Sequence, residues 1–277
     1  MKQIITVLII SSICCEIFAQ VPVSSTGKFF DYKGTKIYYE DIGQGEPLLL
    51  LHNFNGTSDS WKPYFENYSK TFRVIAVDMI GHGRSDILRK GDIEFKHSEY
   101  ATIILALMDN LKITKTNAIG ASAGGMTLIY ANYMQPDKFK NVISIGAQIY
   151  YDKRVRDWIT ANGPDSAKTA YLEKASKNHG LEKAMLQSRQ FWNFRKAYGD
   201  PSFTPDMLST ITANWLIVHG DNDFVPLDQA LEMKKYIPNS RLWIYPNGGH
   251  LPHLKQPNVP DFTQRSTDFL LGKWTKK

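Results

Sequence analysis

The sequence predicts an α/β fold, a mostly parallel central sheet flanked by helices, and three observations predict it. Short continuous apolar runs, "EPLLLLHN" and "FRVIAVD", have the character of strands buried on both faces. They alternate with segments whose apolar residues recur at helical spacing, which is the pattern of strands joined by crossover helices. A chain of 277 residues with 43% hydrophobic content also has enough material for one ordinary core, without a repeat, low-complexity run or long linker.

Residues 1–19, "MKQIITVLIISSICCEIFA", set Lys2 ahead of an apolar run from Ile4 to Cys15 and end at Ala19. That run is too short to span a bilayer and reads as a signal peptide cleaved after Ala19; a buried N-terminal strand is the alternative. Export to a periplasm or the exterior is therefore expected, without stable membrane insertion after cleavage. Both cysteines, Cys14 and Cys15, fall inside this segment, so the mature chain would have neither disulfides nor a catalytic thiol. The net charge of +6 is spread along the chain without the basic stripe that nucleic-acid binding needs.

The mature chain then reads element by element. "KFFDYKGTKIYYEDIG" is a hairpin turning at Lys33 and Gly34. The strand "EPLLLLHN" follows, then a helix in "SDSWKPYFENYSK" and the strand "FRVIAVD". "HSEYATIILALMDNLKI" is an amphipathic helix, with Ser98 as candidate cap and Ile103, Ile104, Leu107, Met108 and Leu111 on its inner face. A short strand at "NAI" meets a helix at "GGMTLIYANYM", whose Met126, Ile129, Tyr130 and Tyr133 share one face. "NVISIGA" is the next strand. From 151 to 205 the alternation stops in favour of charged, helix-compatible sequence carrying Trp158, Tyr171, Phe191, Trp192, Phe194 and Tyr198. This stretch is expected to be a small helical cap inserted after the sixth strand, dividing the core into 20–150 and 206–277. Strands "NWLIVHG" and "RLWIYP", a helix "PLDQALEMKKYI" and a final helix from Pro260 to Leu271 complete the chain.

Where strand becomes helix, Ser122 stands among Gly120, Ala121, Ala123, Gly124 and Gly125. Neighbours without bulk let strand and helix approach closely around a strained apex, which is the G-x-S-x-G elbow. Such a turn lifts a hydroxyl clear of the backbone and aims the first amides of the helix at the same point, favouring developing negative charge. A serine needs a base, and the base a third group to orient it. "VHGDNDFVP" supplies Asp221 and Asp223 just after a buried strand, and "PNGGHLPHL" supplies His250 after the last one.

In order and spacing, "LLLLHNFNG", "VIAVDMIGHGRSD", "AIGASAGGM", "WLIVHGDNDFVP" and "NGGHLPH" resemble the α/β-hydrolase superfamily, from about Lys28 onward. The resemblance implies Ser122 as nucleophile, His250 as base and Asp223 as acid, with Asp221 the fallback. It places the oxyanion hole at the backbone amides of Ala123 and Phe54. Where the family usually has His-Gly, this chain has His52 and Asn53; asparagine tolerates the left-handed region a glycine there would use, and its side chain could bond near the site. Asn53, Trp158 and Trp192 are the candidate substrate contacts. His52, His82 and His219 are expected as hydrogen-bonders in loops or core, and Asp78 with Arg84 as ties for the "GHGRSD" turn. His250 and His253 lack the third ligand that a metal site requires, so no metal or cofactor is expected.

The implied activity is that of an exported, cofactor-independent serine hydrolase acting on a small acyl substrate, an ester or lactone, through an acyl-enzyme. A perhydrolase or C–C hydrolase would use the same triad, and a non-catalytic ligand-binding protein on this fold is a further alternative. Two sequons, at Asn55 and Asn67, are open on paper, but a glycan on Asn55 would crowd the oxyanion loop, which favours a bacterial envelope. Oligomeric state is not written in the sequence.

Overall fold

The computed structural model describes residues 27–87, 96–161, 170–187 and 201–274, so the expected signal segment lies outside the described residues. Its centre is an eight-stranded sheet: β1 (Gly27–Tyr32), β2 (Thr35–Ile42), β3 (Glu46–Leu51), β4 (Phe72–Val77), β5 (Thr116–Ala121), β6 (Phe139–Ile145), β7 (Asn214–Gly220) and β8 (Ser240–Tyr245). The spatial order is β1-β2-β4-β3-β5-β6-β7-β8. β2 runs antiparallel to β1 and β4, and the remaining pairs are parallel. The hairpin turns where expected, at Lys33 and Gly34, both with positive φ, as a two-residue turn between twisted strands requires.

The pleat explains why β3 is apolar throughout. Leu49 and Leu51 point into one core cluster while Leu48 and Leu50 point into another, and all four are at most 2% exposed. Each such side chain contributes about 1.5–3 kcal/mol by leaving water. The first cluster is closed by α2 (His97–Asn110), α3 (Ala123–Met134) and α8 (Leu227–Tyr236); the second by α1 (Lys62–Tyr68), a 3-10 turn at Ser58–Trp61 and α9 (Asn258–Leu270). Between β6 and β7 lie α4 (Lys153–Ala161), α5 (Ala170–His179), α6 (181–187) and α7 (Pro205–Ser209).

Two local expectations change. Ser98 does not cap α2: the helix starts at His97, with Lys96 in the cap position. The His97 side chain is itself buried and lies 6.3 Å from the Tyr100 ring, so it belongs inside the first turn. The buried side of α3 is also wider than one stripe. Leu128, Ala131 and Asn132 are buried together with Met126 and Ile129, whereas Tyr133 is exposed, because α3 packs on the sheet, on α2 and on α7 at once.

Candidate active site

The carboxyl ends of the parallel strands deliver the site. β5 ends at Ala121, and Ser122 takes φ 49° and ψ −110° before α3 begins. A non-glycine residue in that region costs about 1–3 kcal/mol and must be held by its surroundings. The Ser122 amide donates to the Ile145 carbonyl at 2.7 Å, and the Ser122 carbonyl accepts from Met126 at 2.9 Å. The flanking glycines are sterically required. A Cβ on Gly120 would meet the Gly124 carbonyl oxygen at 2.5 Å, and one on Gly124 would meet the Leu51 carbonyl oxygen at 2.5 Å. The start of α3, with the Ala123 amide among its unpaired first donors, is thereby pressed against the end of β3, from which the Phe54 loop leaves.

Opposite Ser122, His250 comes from the loop after β8. Its Nε2 lies 2.9 Å from Ser122 Oγ, and its Nδ1 lies 2.9 Å and 3.0 Å from the two carboxylate oxygens of Asp223. A carboxylate only accepts, so the imidazole proton sits on Nδ1 and the Nε2 lone pair faces the serine hydroxyl. Asp223 Oδ1 also accepts from the Val225 amide at 3.0 Å, and its side chain is fully buried. The other candidate acid is accounted for elsewhere: Asp221 Oδ1 accepts from the Gly248 amide at 3.1 Å, joining the β7 loop to the loop that carries His250.

Three contacts at this site have no counterpart in the motifs. The Phe224 ring lies 4.4 Å from the His250 ring, backed by Tyr151 and Val155. Arg154 on α4 donates from Nη2 to the Asp223 carbonyl at 2.9 Å. At the end of α5, Asn178 and His179 both donate to the Asn55 carbonyl. Phe224 adjoins Asp223 in the chain and could have been suspected; the other two are long-range pairings without local sequence signal.

The loop after β3 departs from expectation in detail. The left-handed residue is Asn55, at φ 61°, and not Asn53. Asn53 instead closes a turn, its carbonyl accepting from the Gly56 amide at 2.8 Å while its Nδ2 donates to the Phe54 carbonyl at 2.8 Å. Its amide group is therefore engaged within its own loop. Trp192, and the side chain of Trp158 on α4, lie outside the described residues.

The buried histidines are structural, as expected. His52 Nε2 accepts from the Met79 amide at 2.9 Å and its Nδ1 donates to the Asn53 carbonyl; burial pushes its pKa down to about 4. Burial likewise holds His82 well below the usual histidine range and lowers His219, whose Nε2 donates to the Val225 carbonyl at 3.1 Å. Asp78 ties the "GHGRSD" turn. Burial pushes its carboxyl up, but the Arg84 side chain and the Arg84 and Ser58 amides outweigh this and bring it down to about 2. Among the described residues, no group of three or more His, Cys, Asp or Glu is placed to hold a metal ion.

Comparison with known proteins agrees with this architecture. A family profile described as the alpha/beta hydrolase fold matches residues 46–166. The 2-hydroxy-6-oxo-6-(2'-aminophenyl)hexa-2,4-dienoic acid hydrolase of Metapseudomonas resinovorans is 26% identical over 274 residues, covering 88% of this chain and 90% of that protein. A human serine hydrolase, BPHL, is 29% identical over 252 residues, covering 86% of this chain and 84% of that protein. The solved structure of an N-acyl homoserine lactone degrading enzyme superposes with a TM-score of 0.69 at 22% identity, covering 87% of this chain and all of that one. With the sheet order and the elbow, these matches show that the chain has the α/β-hydrolase fold.

Proposed function

We propose that the protein is a serine hydrolase that cleaves a bond to a carbonyl carbon through a covalent acyl-enzyme on Ser122. The observation that carries this reading is the continuous hydrogen-bonded chain from Ser122 Oγ through His250 to the buried Asp223 carboxylate. In the first half-reaction, Ser122 Oγ bonds to the carbonyl carbon as its proton passes to His250 Nε2. Asp223 steadies the imidazolium, and the amides of Ala123 and Phe54 receive the oxyanion. The tetrahedral centre then collapses, the bond to the leaving group breaks, and His250 returns the proton to that group. Water repeats the sequence and releases the acid. Each step uses these side chains, these backbone amides and water.

The leaving group decides between two substrate classes. An ester or lactone expels an alkoxide, which is the simpler task. A C–C hydrolase must expel carbon, which is feasible once the carbon beside the attacked carbonyl has taken up a proton and the dienol has become a 2-oxo-enoate, so that the electrons left by the broken bond pass into the conjugated oxo group. Curated relatives named as hydrolases of 2-hydroxy-6-oxo-dienoic acids favour this second reading at least as strongly. We further propose that 151–205 acts as a cap over the site and that the chain is exported after cleavage at Ala19.

A substrate panel tests the reading: nitrophenyl esters of increasing chain length, a homoserine lactone, and a 2-hydroxy-6-oxo-hexa-2,4-dienoate whose conjugated absorbance is bleached on cleavage. Turnover of any of them that disappears in Ser122→Ala supports the serine mechanism, and the preferred substrate assigns the class. Turnover that survives in Ser122→Ala contradicts it. Tight binding without turnover would support a ligand-binding protein instead.

A further inference from the structure

The loop that carries Phe54 has its conformation fixed from outside. Its left-handed residue, Asn55, presents a carbonyl that accepts two hydrogen bonds from the end of α5, from Asn178 Nδ2 at 3.0 Å and from His179 Nε2 at 3.2 Å. His179 reaches a second loop as well, its Nδ1 accepting from the Gly83 amide at 2.8 Å. An amide can only donate, so Nδ1 carries the lone pair and Nε2 the proton. A neutral imidazole in one tautomer thus joins the helical segment to two loops at the carboxyl edge of the sheet, and it is 8% exposed.

We propose that His179, assisted by Asn178, is a positioning residue for the oxyanion loop: docking of α5 on the Asn55 carbonyl holds the Phe54 amide in its working orientation. If 151–205 caps the site as proposed above, α5 does more than cover it, since when it is undocked one of the two oxyanion donors is unfixed. The catalytic consequence rests on the serine-hydrolase reading above; the docking itself does not.

Proton binding at Nδ1 would remove the acceptor and undock the ring. The groups facing His179 are His82, with its ring at 5.4 Å, His52 behind it, Lys183 on α6, and Asp78 with its partner Arg84. Glutamine can satisfy both bonds, with Oε1 accepting and Nε2 donating, and it does not titrate. His179→Gln leaves all of the facing groups in place, so the difference between it and the wild type reports His179 alone.

The test is backbone hydrogen exchange over 52–57, with β5 and α3 as the folding reference, beside steady-state kinetics. His179→Ala should exchange at least about 10-fold faster at 54–56 and lose about 10- to 100-fold in kcat with KM nearly unchanged, whereas His179→Gln stays within about 3-fold of wild type in both. Burial lowers the His179 pKa, so as the pH falls below 6.5, after correction for intrinsic rates and relative to β5 and α3, wild-type protection at 54–56 should fall further than that of His179→Gln. Unchanged exchange in His179→Ala, or a His179→Gln as loose as the alanine variant, overturns the proposal. If the alanine variant does not fold, the pH comparison of wild type with His179→Gln decides by the same criterion. Absence of a reactive Ser122 would refute the hydrolase reading while leaving the exchange result to decide the docking.

Discussion

Gly124 lies against Leu51 so closely that a methyl group on it would stand 2.5 Å from the Leu51 carbonyl oxygen. This contact joins the helix behind the serine to the strand before the Phe54 loop, so the two halves of the candidate site share one backbone position. Gly124→Ala is expected to destabilise the fold by about 1–3 kcal/mol and to lower kcat/KM at least about 100-fold. Urea midpoints and turnover measured on the same preparation check both figures. Normal turnover would show that the elbow tolerates separation from β3.

Asp223 and Asp221, two residues apart, are expected to respond very differently to the same change. Asp223→Asn presents an amide to His250 Nδ1, reverses the tautomer and should cost about 10³–10⁴-fold in kcat/KM. Asp221→Asn keeps an acceptor for Gly248 and should stay within about 10-fold of wild type. Kinetics of the two variants side by side separate the roles.

These residues also show what was legible in the sequence. The strands, the order Ser122, Asp223, His250 and the elbow glycines could be read because each depends on local pattern: pleat alternation, turn chemistry and spacing after a strand. Asn53 could not be read correctly from the motif alone, since the left-handed residue of the loop is Asn55, whose carbonyl is taken up by a partner in α5. That partner is more than a hundred residues away in the chain. The start of α2 was misplaced for a similar reason, because burial of His97 outweighs the capping preference of Ser98.

Arg154 donates to the Asp223 carbonyl from an exposed position on α4, so solvent weakens the bond. Arg154→Ala is expected to lower kcat/KM by about 3- to 10-fold with little change in stability. Phe224→Ala, which also removes the ring against His250 and its packing on Val155, should cost more than Arg154→Ala in the same assay.

Stability should depend on pH through the buried histidines. The pKa of His52 is lowered to about 4 and that of His253 to about 3, both by burial, so the unfolded chain binds more protons than the folded one. Their contribution is complete above the ordinary value of 6.5 and is lost as pH falls through the folded values. For His52 alone the loss is about 3 kcal/mol. Asp78, held at about 2, acts in the same direction at lower pH still. Urea midpoints from pH 8 to pH 4 should therefore decline below about pH 6.5; a flat profile would contradict the neutral, buried state of these rings.

The most direct test of the central claim is labelling of the purified protein with a fluorophosphonate, followed by mass spectrometry of the modified peptide. A single adduct on Ser122, absent from Ser122→Ala and strongly reduced in His250→Ala, is the result expected of a serine activated by His250 and Asp223. A folded protein that reacts elsewhere, or whose labelling is unaffected by loss of His250, would contradict it.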